Sequence, residues 1–133
     1  MKIYTSYFGN SRKLAASGIQ PICVAVGKPR FFFGPQMLNV APTRYMISSA
    51  CQPEEYIRLY KGILSKLNAF KVVEQIKQLS NGKDVALCCY EKPGDFCHRH
   101  LLAEWITENT DIEIQEFGAV ERKGPEYKQQ SLF

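Results

Sequence analysis

Two thiols, a carboxylate, an imidazole and a guanidinium fall within one short segment: Cys89, Glu91, Cys97, His98 and Arg99. Cys97 to Arg99 fit the opening turn of a helix, where backbone N–H groups are unsatisfied and the helix dipole favours negative charge. A thiol in that position can be held as a reactive thiolate. Cys97 or Cys89 is therefore a candidate nucleophile or redox thiol, with Glu91 or His98 as acid/base. Arg99, together with the helix N-terminus, could hold an anionic group. A structural reading stands beside this one. Cys88 and Cys89 could be core residues, His98 could bond a backbone carbonyl, and Arg99 could pair with Glu91. Cys89, Cys97 and His98 are metal ligands by type, but seven residues separate the cysteines. Zinc motifs place about two to four there, so no metal and no cofactor is expected.

The elements that must position these residues are legible. Asp84–Tyr90 is an almost unbroken apolar run without alternation, as expected of a central parallel strand covered on both faces. Lys92-Pro93-Gly94 reads as a turn, and Asp95 as the N-cap of a helix to Glu108. On that helix Leu101, Leu102, Trp105 and Ile106 form the apolar face. His98 lies over it, and His100 projects to the opposite side, towards solvent. Upstream, Lys2–Phe8 and Ile19–Val26 read as strands around a short helix, Ser11–Ala16. Pro21 sits near the start of the second strand, where a lost donor matters least. Thr43–Ser49 reads as a short helix, Pro53 opens another to about Leu67, and Asn68 caps a third over Ala69–Leu79. Asp111–Phe117 alternates, as an edge strand does. The whole predicts a single α/β domain over residues 1–117: a mostly parallel sheet of about four strands with helices on both faces. Residues 118–133 form a polar tail. Ligands of such sheets sit beyond the carboxyl ends of the strands, which points to the loop after Tyr90.

The run from Val85 to Leu102, with Cys89-Tyr90-Glu91 followed by Cys97-His98-Arg99, resembles the signature of the family called domain of unknown function 488. Its members carry a strand ending in Cys-x-Glu, then Cys-His-Arg opening a helix. Ile3–Asn10 resembles the family's first strand and turn. Gly27-Lys28-Pro29, Ala41-Pro42-Thr43 and Tyr56–Leu64 extend the likeness over most of the chain. The resemblance implies that Cys89, Glu91, Cys97, His98 and Arg99 are motif positions. Where many members carry Asp-x-Arg after the second strand, this chain has Ala25-Val26-Gly27-Lys28. The family's reaction is unknown, so the likeness supports a site and not a mechanism.

Two further segments bear on partners. Lys28-Pro29-Arg30-Phe31-Phe32-Phe33-Gly34, with Arg44 beyond, interleaves cations and aromatics. Aromatics can stack on bases while Lys28, Arg30 and Arg44 meet phosphates; the plainer reading is a core anchor with solvated charges. At the end of the tail, Gln129-Gln130-Ser131-Leu132-Phe133 matches the Gln-x-Ser/Asp-Leu-Phe pattern of clamp-binding peptides. Gln129, Ser131, Leu132 and Phe133 are thus candidate contacts to a bacterial sliding clamp.

Composition narrows the classes. The 133 residues are 45% hydrophobic, enough for one core. A net charge of +4 permits nucleic acid or nucleotide ligands without requiring them. Five cysteines, an odd count without an export signal, favour free thiols in a cytoplasmic protein. No apolar run is long enough to span a membrane. The expected function is a DNA- or nucleotide-associated enzyme tethered to the clamp. The alternatives are a non-enzymatic module that binds an anion or nucleic acid, or a small-molecule enzyme unrelated to DNA.

Overall fold

A computed structural model describes residues 1–90 and 97–118. The chain runs β1 (Ile3–Tyr7), α1 (Ser11–Ala16), β2 (Ile19–Cys23), α2 (Pro53–Ser65), α3 (Ala69–Leu79), β3 (Asp84–Cys89), α4 (His98–Thr110) and β4 (Ile114–Glu116). The strands form one parallel sheet in the order β2-β3-β1-β4. β3 is internal and is buried from Val85 to Cys89, which explains its unbroken apolar sequence. β2 lies at an edge and tolerates Pro21, while β4 closes the other edge.

The order fixes which face each helix covers. From β1 to β2 the chain crosses the sheet in one direction; from β2 to β3 and from β3 to β4 it crosses in the other. Parallel crossovers are right-handed. α1 therefore covers one face, and α2, α3 and α4 cover the opposite face. In agreement, α4 packs on β1, β3 and β4 and also against α2 and α3, while α1 packs on β2. The connections leaving β1 and β3 depart to opposite faces, and these two strands are neighbours. The crevice between such strands is where parallel sheets bind ligands.

Local chemistry accounts for the boundaries. The Asn68 side chain accepts from the Lys71 N–H at 3.1 Å and starts α3 as expected. Three expectations need correction. β2 ends at Cys23 rather than Val26, because the Gln36 amide takes the carbonyls of Ala25 and Val26 and bends the chain away from β3. Residues 43–49 are turns, not a helix. There the Thr43 hydroxyl accepts from the Met46 N–H, and the Ser48 hydroxyl bonds the Tyr45 carbonyl, in competition with helical pairing. α4 begins at His98, with Cys97 as its N-cap. The expected turn at Lys92-Pro93-Gly94 and cap at Asp95 lie outside the described residues. Among the described residues, no helix is long and apolar enough to cross a membrane.

The long loop between β2 and α2 is pinned to the sheet. Phe32 is buried and packs edge-on against Phe8. Gly34 sits against the Pro21 carbonyl and the Phe32 ring so closely that a Cβ would overlap both. Gly34→Ala should therefore destabilise the protein by about 1–3 kcal/mol through overpacking. Urea unfolding measures this, and an unchanged midpoint would show that the loop is not pinned there.

Candidate functional site

Register builds the site. Tyr7 pairs with Cys89, and Thr5 pairs with both Leu87 and Glu116. Paired positions and alternate residues along a strand share a face, so Thr5, Leu87, Cys89 and Glu116 all lie on the α4 side. Cys88 points the other way.

Arg99 crosses this face from the first turn of α4. It is 0% exposed, and its Nε and Nη2 donate to the two carboxylate oxygens of Glu116 at 3.1 and 3.0 Å. Its Nη1 lies 2.9 Å from Cys89 Sγ. Thr5 Oγ1 also donates to Glu116, at 2.6 Å. One guanidinium thus ties the end of β3 to β4 across β1. A guanidinium cannot shed its charge, so at this burial it needs such partners.

Cys89 and Cys97 are joined as a disulfide, with Cα atoms 7.3 Å apart; Cys23, Cys51 and Cys88 are free. The expectation of free thiols is corrected for this pair. The fold brings the end of β3 and the N-cap of α4 together, a proximity that a separation of eight positions in sequence does not show. Cys88 is a core thiol, pushed up to about 12 by burial. Burial also raises Cys23.

His98 is buried beneath Tyr60, whose ring meets it edge-on. Its Nε2 lies 2.6 Å from the Val24 carbonyl, which can only accept, so the proton is on Nε2. Nδ1 then faces Cys97 Sγ at 3.8 Å. Burial lowers His98 from 6.5 to about 4. It is a neutral imidazole at physiological pH, with one nitrogen fixed and the other available. Cys89, Cys97 and His98 line a cavity of about 250 Å³ together with Tyr90, Tyr56, Met46, Ile47, Pro42, Ala25 and Val26. The ligand atoms of Cys89, Cys97 and His98 lie within 4.8 Å of one another.

The structure thus brings together Cys89, Cys97, His98 and Arg99, but gives Arg99 a different neighbourhood. It lies beneath the site against Glu116 and does not line the cavity. Lys28, Arg30 and Arg44 are exposed in the long loop, and Lys28 Nζ bonds the Gly34 carbonyl at 3.1 Å. Phe31 and Phe33 are exposed beside them, Phe33 at 94%, so of the three phenylalanines it is Phe32 that anchors the loop, with Met37, Val40 and Met46 buried farther along it. His100 is half-buried rather than turned freely to solvent. It is lowered to about 4, mainly by burial, and its Nε2 is buried with no hydrogen-bond partner among the described residues. Farther along α4, Glu104, Glu108 and Asn109 are exposed, so the covering is local to the first turn. Glu91, Gln129, Ser131, Leu132 and Phe133 lie outside the described residues. Glu116 and Thr5 were missed. The alternation of Asp111–Phe117 marked an edge strand, but nothing local marked Glu116 as the partner of a buried cation.

A family model described as the active DUF488-N3 subclade matches residues 24–110, which include Cys89, Cys97, His98 and Arg99. No curated protein and no solved structure gives a match.

Glu116→Ala should cost about 3–5 kcal/mol by stranding Arg99, whereas Arg99→Met with Glu116→Leu should cost less than the two single changes summed. A double-mutant cycle by urea unfolding decides, and additivity would show that the pair is not coupled. His98 supplies a second prediction. Its folded value lies below the unfolded one, so its contribution is complete above pH 6.5 and is lost as pH falls towards 4. The loss is on the order of 3 kcal/mol, and His100 acts in the same direction. His98→Gln should flatten the fall of stability between pH 7 and 4; an unchanged slope would show that His98 protonates freely in the folded protein.

Proposed function

The chain belongs to the DUF488 family, and from that premise we propose that it is an enzyme acting on nucleic acid or nucleotides through the thiols of Cys89 and Cys97. The observation that carries this reading is the contact of Arg99 Nη1 with Cys89 Sγ at 2.9 Å, on the wall of a cavity at the carboxyl end of a parallel sheet. A guanidinium beside a sulfur favours its anionic form. Placing a fixed cation against one thiol, while the adjacent Cys88 is buried as an inert one, separates chemistry from packing along a single strand.

The roles follow from position. Cys97 or Cys89, once reduced, is the nucleophile or redox thiol. His98, neutral and with Nδ1 turned to Cys97 Sγ, accepts or returns a proton. Glu91, two residues beyond Cys89 in sequence, is the second acid/base candidate. The cavity wall of Tyr56, Tyr90, Met46 and Ile47 suits a flat apolar ring such as a base. The exposed Phe31 and Phe33 beside Lys28 and Arg30 suit a single strand, by stacking and phosphate contact. The terminal Gln129-Gln130-Ser131-Leu132-Phe133 supports tethering to a sliding clamp.

Turnover is screened on single-stranded DNA and nucleotides under a phosphine reductant. Cys97→Ser should abolish turnover while the unfolding midpoint holds, and equal loss of stability and turnover would remove the catalytic claim. Tethering is measured separately, as binding of the full chain to a bacterial clamp. Deletion of Leu132 and Phe133 should weaken it at least about 30-fold, and undiminished binding would exclude the peptide.

A further inference from the structure

We propose that, in the reduced protein, Cys89 Sγ, Cys97 Sγ and His98 Nδ1 form a three-ligand site for zinc, with the fourth position open to the cavity. The inference goes beyond the enzymatic reading and stands on the geometry of the cluster; with zinc bound, His98 Nδ1 is a ligand, and the proton role given to it above belongs to the metal-free protein.

Four observations carry it. First, the three ligand atoms are mutually within 4.8 Å. In a tetrahedral site with Zn–S near 2.3 Å and Zn–N near 2.0 Å, the sulfur-to-nitrogen edge is roughly 3.6 Å. The Cys97 Sγ to His98 Nδ1 distance of 3.8 Å is already close to that edge. Second, the imidazole is set for coordination. Its Nε2 proton is held by the Val24 carbonyl at 2.6 Å, leaving the Nδ1 lone pair towards the sulfurs. Metal-bound histidines are oriented in the same manner, by a hydrogen bond from the far nitrogen to a carbonyl or carboxylate. Third, the Cα atoms of Cys89 and Cys97 stand 7.3 Å apart, beyond the roughly 4.4–6.8 Å of most disulfides. That backbone spacing suits two thiolates with an ion between them. Fourth, all three ligands line the cavity. Among the described residues these three are the ligands in reach; three protein ligands with one open position are the mark of a reactive zinc site, whereas structural sites close with four.

The donor set selects the ion. Two thiolates and an imidazole suit zinc and exclude magnesium and calcium, which need oxygen. The Nη1 contact of Arg99 to Cys89 Sγ tempers the charge on that thiolate without occupying a coordination position. The seven residues between the cysteines, which argued against zinc in sequence, are no obstacle here. One ligand ends a strand and the others begin a helix, so the fold sets their spacing and no local knuckle is needed.

The test uses the full chain, reduced with a phosphine, stripped with chelator and titrated anaerobically with cobalt(II) and then zinc(II). The expected result is one equivalent of cobalt with the intense visible bands of a tetrahedral thiolate site, displaced by zinc. Cys97→Ser and His98→Asn should weaken binding by at least roughly 100-fold, while Cys51→Ser leaves it unchanged. Circular dichroism checks that the variants fold. Should one fail to fold, protection of Cys89 and Cys97 from alkylation by zinc in the wild type gives the same answer. Octahedral cobalt spectra, or wild-type binding no tighter than that of the folded variants, would overturn the proposal. Turnover plays no part in these readouts, so loss of the enzymatic reading leaves the metal site testable, and the reverse.

Discussion

A guanidinium shut away from water is the constraint on which this small fold turns. Arg99 is fully buried and has donors that must be met. Glu116 meets two of them and Cys89 a third. For that to happen, β4 must lie beside β1 in the register that puts Glu116 opposite Thr5, and α4 must begin where it does. β4 is only three residues long and is weak as a strand on its own. Its hold on the sheet depends on a side chain from the helix before it.

The same residue separates two neighbouring thiols. Cys88 and Cys89 are adjacent, so the strand sends them to opposite faces. On one face the thiol is wrapped in apolar neighbours and pushed up to about 12. On the other, the sulfur meets a guanidinium, a second sulfur and a cavity. His98 belongs to this second environment, and its far nitrogen is committed to a carbonyl of the chain just beyond β2. Contributions from β3, α4 and the chain just beyond β2 therefore converge at the carboxyl end of β3, on the side that faces β2.

Much of this was legible beforehand, and for physical reasons. The unbroken apolar run of Asp84–Cys89 announced a strand covered on both faces, and Asn68 announced the start of α3. The Cys89 to Arg99 segment stood out because its residue types are costly to bury without partners. What stayed hidden depended on distance in sequence. Glu116 lies 17 residues beyond Arg99 and looks like any charge on an edge strand. His100 reads as solvent-facing on a helical wheel, which knows nothing of the layers around α4. The turns over residues 43–49 come from Thr43 and Ser48 competing with the backbone, a preference that helical spacing does not register.

The most direct test of the central claim, that Cys89 and Cys97 form a reactive centre while Cys88 is a packed core thiol, is site-resolved alkylation. Reduced, chelator-treated protein is exposed to iodoacetamide at pH 7, and the modified peptides are quantified by mass spectrometry with time. The account predicts rapid labelling of Cys89 or Cys97 through the cavity, with Cys23 and Cys88 silent until the protein is unfolded. Labelling of all four only on unfolding, at a common rate, would contradict it and leave the pair as part of the core.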